Sequence, residues 1–484
     1  MIGAYLDLAR MHAPLLVITT PLIGAVLAAL IPQRQLSWAV ALCAVAATAV
    51  ISIDQALRAM GGGMPPGLVV LVGVHLDGAG IFLAALLSLC ATFALLGAGA
   101  ALGEMEGRAA PFALALALLA LGGWNGALMT DNLAALVIAA ELGWLASVGL
   151  LASSPARGAL NGAARMLAAG GAGAALALCG IALVMRSFGS LNLADLGAAH
   201  VEAAAAAAVG AGVVLASIVL KTGAAPFQGW IGAAFGRAGG AALLVLGAVG
   251  ATGALAVAIR LIAYLVPAPA IGEGLSTALA AMGCVSVVIG SLQAVGARNL
   301  PRLAAYAVVA QAGCVLLSVA LGSPAGFAAA LVQMTSLAAS ALALFGGAVA
   351  AGVQNLDHLD GVSRRAPLAS AAITAGALSL MGAPLTLGFL GRWRLVEASV
   401  GADWWWAAGA VIFASLSGVF YGGRLIERLY FRRATHQFEG GGGLWRIVLA
   451  PALIVSILAT AWGLAPSLLL NAANAAAAMM AVGV

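Results

Sequence analysis

The stretch VLKTGAAPFQGW, residues 219–230, carries the only lysine of the chain at the end of an oily run and follows it at once with Gly223, two alanines and Pro226. A charge kept in such a run, beside residues that break a helix, has different meanings in a soluble core and in a membrane. Composition decides between them. A soluble globular chain carries about 25% charged residues; here 8% of 484 residues are charged, 64% are hydrophobic and the mean hydropathy is +1.12. Apolar runs of the roughly 20 residues that a bilayer requires recur along the whole length. The sequence reads as an all-α membrane protein, and Lys221 lies inside it.

Loops marked by Pro, Gly and charge leave spans near 13–31, 36–54, 75–100, 110–128, 130–153, 160–185, 203–235, 239–264, 275–296, 301–322, 325–352, 366–395, 404–423 and 445–465. That is about 14 transmembrane helices, with a final apolar tail, 466–484, that either lies along the interface or extends the last helix. The first run is long enough to span and lacks a clear processing site, so it is expected to remain as the first helix. Cytoplasmic loops collect Lys and Arg. Fourteen arginines fall on one side of this layout, and six (Arg10, Arg58, Arg186, Arg260, Arg392 and Arg394) on the other. The expected setting is a bacterial inner membrane with both termini periplasmic and the segment GGRLIERLYFRRATHQFEGGGGLWR as the largest cytoplasmic loop, an orienting element or a docking surface for a partner.

Several functions are excluded by what is missing. The net charge of +5 comes from arginines scattered singly through loops, without the clustered basic face of a nucleic-acid binder. Five cysteines (Cys43, Cys90, Cys179, Cys284, Cys314) lie in apolar segments with no CxxC spacing, so they read as small core residues, with neither a metal site nor a disulfide framework. No phosphate loop, haem or iron–sulfur spacing, or nucleophile–base set is present; no cofactor and no catalytic site of its own is expected. Ala- and Gly-rich runs such as VEAAAAAAVGAGVVLA suit close helix packing in lipid, and the DWWW row ending at Trp406 suits an interfacial anchor.

Twenty of the 21 basic residues are arginine. A guanidinium keeps its proton under all ordinary conditions, whereas an ammonium can release one, so the one lysine is a candidate proton carrier. Placing a charge near the bilayer centre costs about 2.5–3.5 kcal/mol, and such residues generally mark a pathway or a paired charge. A second candidate is Glu141, midway along LAALVIAAELGWLASVGLL. Together they form a plausible acid and base within the membrane, or a structural ion pair.

The break at Pro226 has a counterpart in SLMGAPLTLGFLGRW, where Gly382 and Pro384 interrupt an apolar run and Arg392 follows. Proline removes a backbone donor and blocks helix hydrogen bonding. Two discontinuous helices at corresponding positions in two halves are the pattern of an internally repeated transporter with ion sites near the midplane.

On these residues the chain resembles the antiporter-like subunits shared by Mrp-type cation/proton antiporters, respiratory complex I and membrane-bound hydrogenases, most of all the Mrp D subunit and the complex I N-type subunit. MTDNLAALVIAAELGWLASVGLL is similar to the family's helix-5 segment, LNLADL (191–196) to a short loop motif, and LKTGAAPFQGW to Lys-x-x-x-x-Pro-Phe-His-x-Trp, with Gln228 in place of histidine. NLPRLAAY resembles Asp-x-Lys-Arg-x-x-Ala-Tyr and retains Arg302 and Tyr306, and GVSRRAPLASAAITAGALSLMGAPLTLGFLGRW resembles the helix-12 segment.

The resemblance implies two inverted five-helix repeats: helices 1–3 over 1–109, helices 4–8 over 110–265, helices 9–13 over 266–430, and a loop end with the last helix over 431–484. It implies a proton relay of Glu141, Lys221 and Arg392, with Arg165, Gln228, Thr252, Arg302 and Tyr306 as supporting polar groups. Partners would be other membrane subunits and protons, with sodium or potassium open. The sequence departs from the family at Thr252, where a bridging lysine is usual, at Arg392, where lysine is usual, and in helix 11, which has neither lysine nor histidine. The leading reading is a proton-translocating subunit of an Mrp-type or complex I-like assembly; the alternatives are a diverged scaffold subunit of such an assembly that no longer conducts, or a membrane partner in a hydrogenase or inorganic-carbon uptake system.

Overall fold

A computed structural model describes residues 10, 12–61, 77–198, 204–268, 272–433 and 445–482. Among these residues the regular secondary structure is all helix, apart from two isolated β-bridges, Asn132 to Asn192 and Asn299 to Asn355. Hydrocarbon imposes this outcome, because a spanning segment has no water to satisfy its amides and carbonyls.

The first six helices are α1 (Ala13–Leu30), α2 (Arg34–Met60), α3 (Gly78–Ala101), α4 (Ala109–Leu128), α5 (Leu133–Ala152) and α6 (Ala159–Phe188). The seventh is interrupted, α7a (Ala204–Thr222) being followed by the short α7b (Ile231–Phe235). Next come α8 (Gly240–Leu265, with a π segment at Leu246–Gly250), α9 (Gly272–Gly296), α10 (Leu300–Ala320) and α11 (Pro324–Ala350). A second interruption separates α12a (Pro367–Met381) from α12b (Leu387–Gly401). The chain then runs through α13 (Trp405–Ile426), α14 (Trp445–Leu464) and α15 (Ser467–Val482).

Twelve helices among the described residues are long and apolar enough to cross a bilayer, and α14 with α15 meet that test together across an 83° bend. The two parts of α12, 15 residues each, are too short to cross alone; taken as one interrupted crossing they complete the fourteen expected. The apolar tail turns sharply at the bend and packs on α3 and α11, so it lies across the bundle. One boundary moves. The thirteenth helix continues past residue 423 through a π turn to Phe431, which takes part of the expected loop into helix; the remainder, 434–444, lies outside the described residues. Cys43 and Cys179 face outward instead of joining the core, while Cys90 and Cys314 are buried.

Helix starts follow local chemistry. Asn132, Asn299, Ser323 and Thr386 each accept a backbone amide of the first turn of α5, α10, α11 and α12b, satisfying donors that a helix leaves unpaired. The interruptions share a device: Gly223 at φ +71° and Gly382 at φ +75° end α7a and α12a in the left-handed region, which costs glycine little.

The interior has two similar halves. In the first, α4 packs on α5, α6 on α7a, and α7a on α8; in the second, α9 packs on α10, α11 on α12a, and α12a on α13. The two bridges pair equivalent asparagines. Arg260 near the end of α8 donates to Thr130 O, 2.5 Å, and Arg424 near the end of α13 donates to Ala297 O, 2.7 Å. Thr130 and Ala297 stand two residues before Asn132 and Asn299. The same joint, an arginine on the carbonyl that follows an earlier helix, is therefore made twice. Helix α8 is wholly buried and α10 and α11 nearly so, whereas α6 is the most peripheral span of the repeats.

Candidate functional site

Lys221 sits one residue before the end of α7a, fully buried. Its Nζ lies 2.8 Å from Glu141 Oε1 of α5 and 3.5 Å from Ser217 O one turn back. The Glu141 side chain is only 20% exposed, so water does little to screen the pair, and its attraction far exceeds that of a surface ion pair. The end of α7a contributes as well, since carbonyls without amide partners make a helix C-terminus favourable for a cation. Space for the ammonium comes from α6, where a Cβ on Gly173 would stand 3.3 Å from Nζ.

Two tryptophans hold the surroundings. Trp144, one turn beyond Glu141, meets Trp230 edge to face with centroids 4.9 Å apart. Trp230 Nε1 donates to Leu220 O at 3.2 Å, a carbonyl that also accepts the Gly223 amide at 3.3 Å, so the far side of the break is bonded back to the end of α7a. Pro226 is exposed at the turn, and Gln228 is half-buried with its Oε1 enclosed and unpartnered.

The second interruption is built differently. The position two residues before Gly382, matching Lys221 before Gly223, is Leu380, and its carbonyl draws the polar groups together. Leu380 O accepts from Arg392 Nη2 at 2.5 Å, Gln311 Nε2 at 2.8 Å and Tyr421 Oη at 3.3 Å. Arg392 Nη1 donates to Met381 O and, at 2.7 Å, to Ser415 Oγ. Gln333 of α11 donates to Gln311 Oε1. Arg392 thus caps α12a, and among the described residues no carboxylate pairs with it. Pro384 is exposed at the turn, and Leu385 takes φ +68°, a region that disfavours L side chains.

The other expected residues have definite places. Thr252 donates to Ala248 O within α8 at 2.6 Å and stands beside the π segment. Arg302 Nε donates to Gly232 O at 3.0 Å, and Tyr306 lies so close to Gly232 that a Cβ there would meet its hydroxyl; both residues of α10 therefore hold α7b. Arg165 is exposed on α6 and is not brought to the Lys221 pair.

Sequence reasoning missed a second buried ion pair and the paired glutamines. Arg260, counted with the outer loop charges, is fully buried in α8, with Nε 2.5 Å from Asp77 Oδ2. Asp77 also accepts the Gly80 amide at 2.6 Å and the Tyr264 hydroxyl at 3.0 Å. The signal was available: Arg260 stands deep in the run LAVAIRLIAYL, and Asp77 directly precedes a helix. Nothing local marked Gln311 and Gln333 as partners.

Fold and site define a class: a polytopic helical membrane protein with an internally repeated interior, two interrupted helices and a lysine–glutamate pair beside one break. The chain belongs to the family described as NADH:quinone oxidoreductase/Mrp antiporter, TM, which it matches over residues 130–417. Among curated relatives, it is 29% identical over 472 residues to NADH-quinone oxidoreductase subunit N of Desulforudis audaxviator, covering 92% of this chain and 93% of that one. It is 31% identical over 356 residues to subunit N of Cereibacter sphaeroides, covering 72% and 76%. The fold is also that of chains in the Mrp complex from Dietzia sp. (TM-score 0.83, 22% identity, 97% of each chain covered) and in respiratory complex I from Thermus thermophilus (0.79, 23%, 95% and 98%).

Proposed function

We propose that this chain is an antiporter-like subunit through which a multi-subunit membrane complex moves protons, with Lys221 as the carrier and Glu141 as the counter-charge that controls it. The observation that carries the reading is the 2.8 Å contact between them, buried and placed at the end of an interrupted helix. While Glu141 stays in contact, the ammonium is stabilised. Drawing the carboxylate away leaves a buried charge without a partner, a costly state that proton release relieves; return of the carboxylate favours reprotonation. The twice-made arginine joint supports residues 110–265 and 266–430 as the two inverted repeats. The reading places the chain in a bacterial inner membrane, both termini periplasmic, among other membrane subunits, with sodium or potassium as the counter-ion if the complex is an antiporter.

The test uses the assembled complex in proteoliposomes. Lys221→Ala and Lys221→Arg should abolish proton translocation while the complex still assembles; unchanged translocation in both would overturn the reading.

One observation favours a second reading, a diverged scaffold: Arg392 is committed to the carbonyls of Leu380 and Met381, and no lysine follows residue 221. A scaffold would leave pumping intact in both Lys221 variants, and loss of the whole chain would dissolve the complex.

A further inference from the structure

The break in α7 is held from the other half of the molecule. Ala225 is an extra residue relative to the second interruption, because Gly223-Ala-Ala-Pro stands where α12 has Gly382-Ala-Pro. Ala225 is fully buried, and an amide left unbonded there would be destabilising. Its N–H donates to Ser286 Oγ of α9 at 3.2 Å, and the same hydroxyl donates to Val309 O of α10 at 2.9 Å. At the second interruption the amide just before the proline, Ala383 N, bonds to Leu378 O of its own helix at 2.9 Å.

Ser286 reaches both groups because α9 and α10 run in close contact at that level. A Cβ on Gly313 would stand 2.6 Å from Gly283 O and 3.0 Å from Ser286 Cβ. Ser286 itself is fully buried. Counted from Asn132 as Ser286 is from Asn299, the equivalent place in α4 is Leu119, which has no hydroxyl. The link therefore runs one way, from the second half onto the first, and it acts four residues beyond Lys221.

We propose that Ser286 is a positioning residue for Lys221: by accepting the Ala225 amide while bonded to α10, it fixes the end of α7a so that Nζ meets Glu141, and it ties that geometry to α9 and α10. The proposal rests on the proton-carrier reading of Lys221 for its functional consequence, but its geometric part can be tested separately. Lys221 is the only lysine in the chain, so acetylation of its side chain by acetic anhydride, followed by mass spectrometry of this subunit in the intact complex, reports on that one amine.

In Ser286→Ala, Lys221 acetylation should quicken by roughly tenfold, which corresponds to about 1.4 kcal/mol, and proton translocation should fall; Ser286→Thr, which keeps the hydroxyl, should restore both. Wild-type labelling and translocation in Ser286→Ala would overturn the proposal, as would a Ser286→Thr variant equally impaired. If Ser286→Ala does not assemble, Ser286→Cys, with its weaker hydrogen bonds, takes its place: intermediate labelling supports the proposal, and wild-type behaviour overturns it. Normal translocation in Lys221→Ala would remove the carrier reading alone, whereas wild-type labelling in Ser286→Ala beside an inactive Lys221→Ala would remove the positioning role alone.

Discussion

Arg260 and Asp77, 183 residues apart, meet at 2.5 Å with the arginine fully buried. The same guanidinium donates to Ala127 O in the last turn of α4 and to Thr130 O just beyond it, and Asp77 caps α3. One ion pair therefore joins three helices. Removing one member of a buried pair strands the other, a loss of about 3–5 kcal/mol, whereas replacing both by apolar groups is often tolerated. Asp77→Ala should sharply lower the melting temperature of the complex in detergent, and Asp77→Leu with Arg260→Met should recover much of it. Equal melting of Asp77→Ala and wild type would show that the pair contributes little.

Glu141→Gln keeps the shape of the carboxylate and removes its charge, leaving Lys221 without a counter-ion. Translocation should fall by tenfold or more, on the order of the effect expected when a close charge pair worth over 1.4 kcal/mol is lost, while assembly on a native gel is retained. A Glu141→Gln complex that pumps at the wild-type rate would remove Glu141 from the mechanism.

Arg392→Lys separates a cap from a relay. A lysine cannot reproduce the planar fork that binds Leu380 O, Met381 O and Ser415 Oγ together. Hydrogen bonds to charged groups contribute about 1.5–3 kcal/mol each, so the variant should melt earlier with no gain in translocation. Faster pumping at unchanged stability would identify position 392 as a relay site instead.

Gly170→Ala tests the frame around the pair. A Cβ at Gly170 would overlap the Trp144 indole at 1.8 Å from Nε1, and Trp144 in turn braces Trp230. Overpacking of this kind typically costs about 1–3 kcal/mol. The variant should melt earlier than wild type, and the mirror change Gly171→Ala, where a Cβ meets nothing within 4 Å, should not.

Crossings, breaks and the candidate pair were legible in the sequence because each depends on local chemistry. A bilayer requires every span to be apolar and to bond its own backbone; glycine and proline end a helix where they stand; and a lone lysine in an apolar run is conspicuous whatever surrounds it. Lys221 and Glu141 could be named, but not shown to touch. Arg392 was expected to relay protons, and only its hydrogen bonds reveal a hold on α12a. Arg260 was misplaced among loop charges because hydropathy locates a residue along the chain and not across it.

The sequence alone determined that this is a helical membrane protein of many apolar spans, and where two of its helices must break. Tertiary structure decided which groups meet: Lys221 with Glu141, Asp77 with Arg260, Ala225 with Ser286. The reason is physical. Spanning and breaking are settled within a few turns of one helix, whereas a buried charge or amide is satisfied by whatever group packing brings to it from a distant part of the chain.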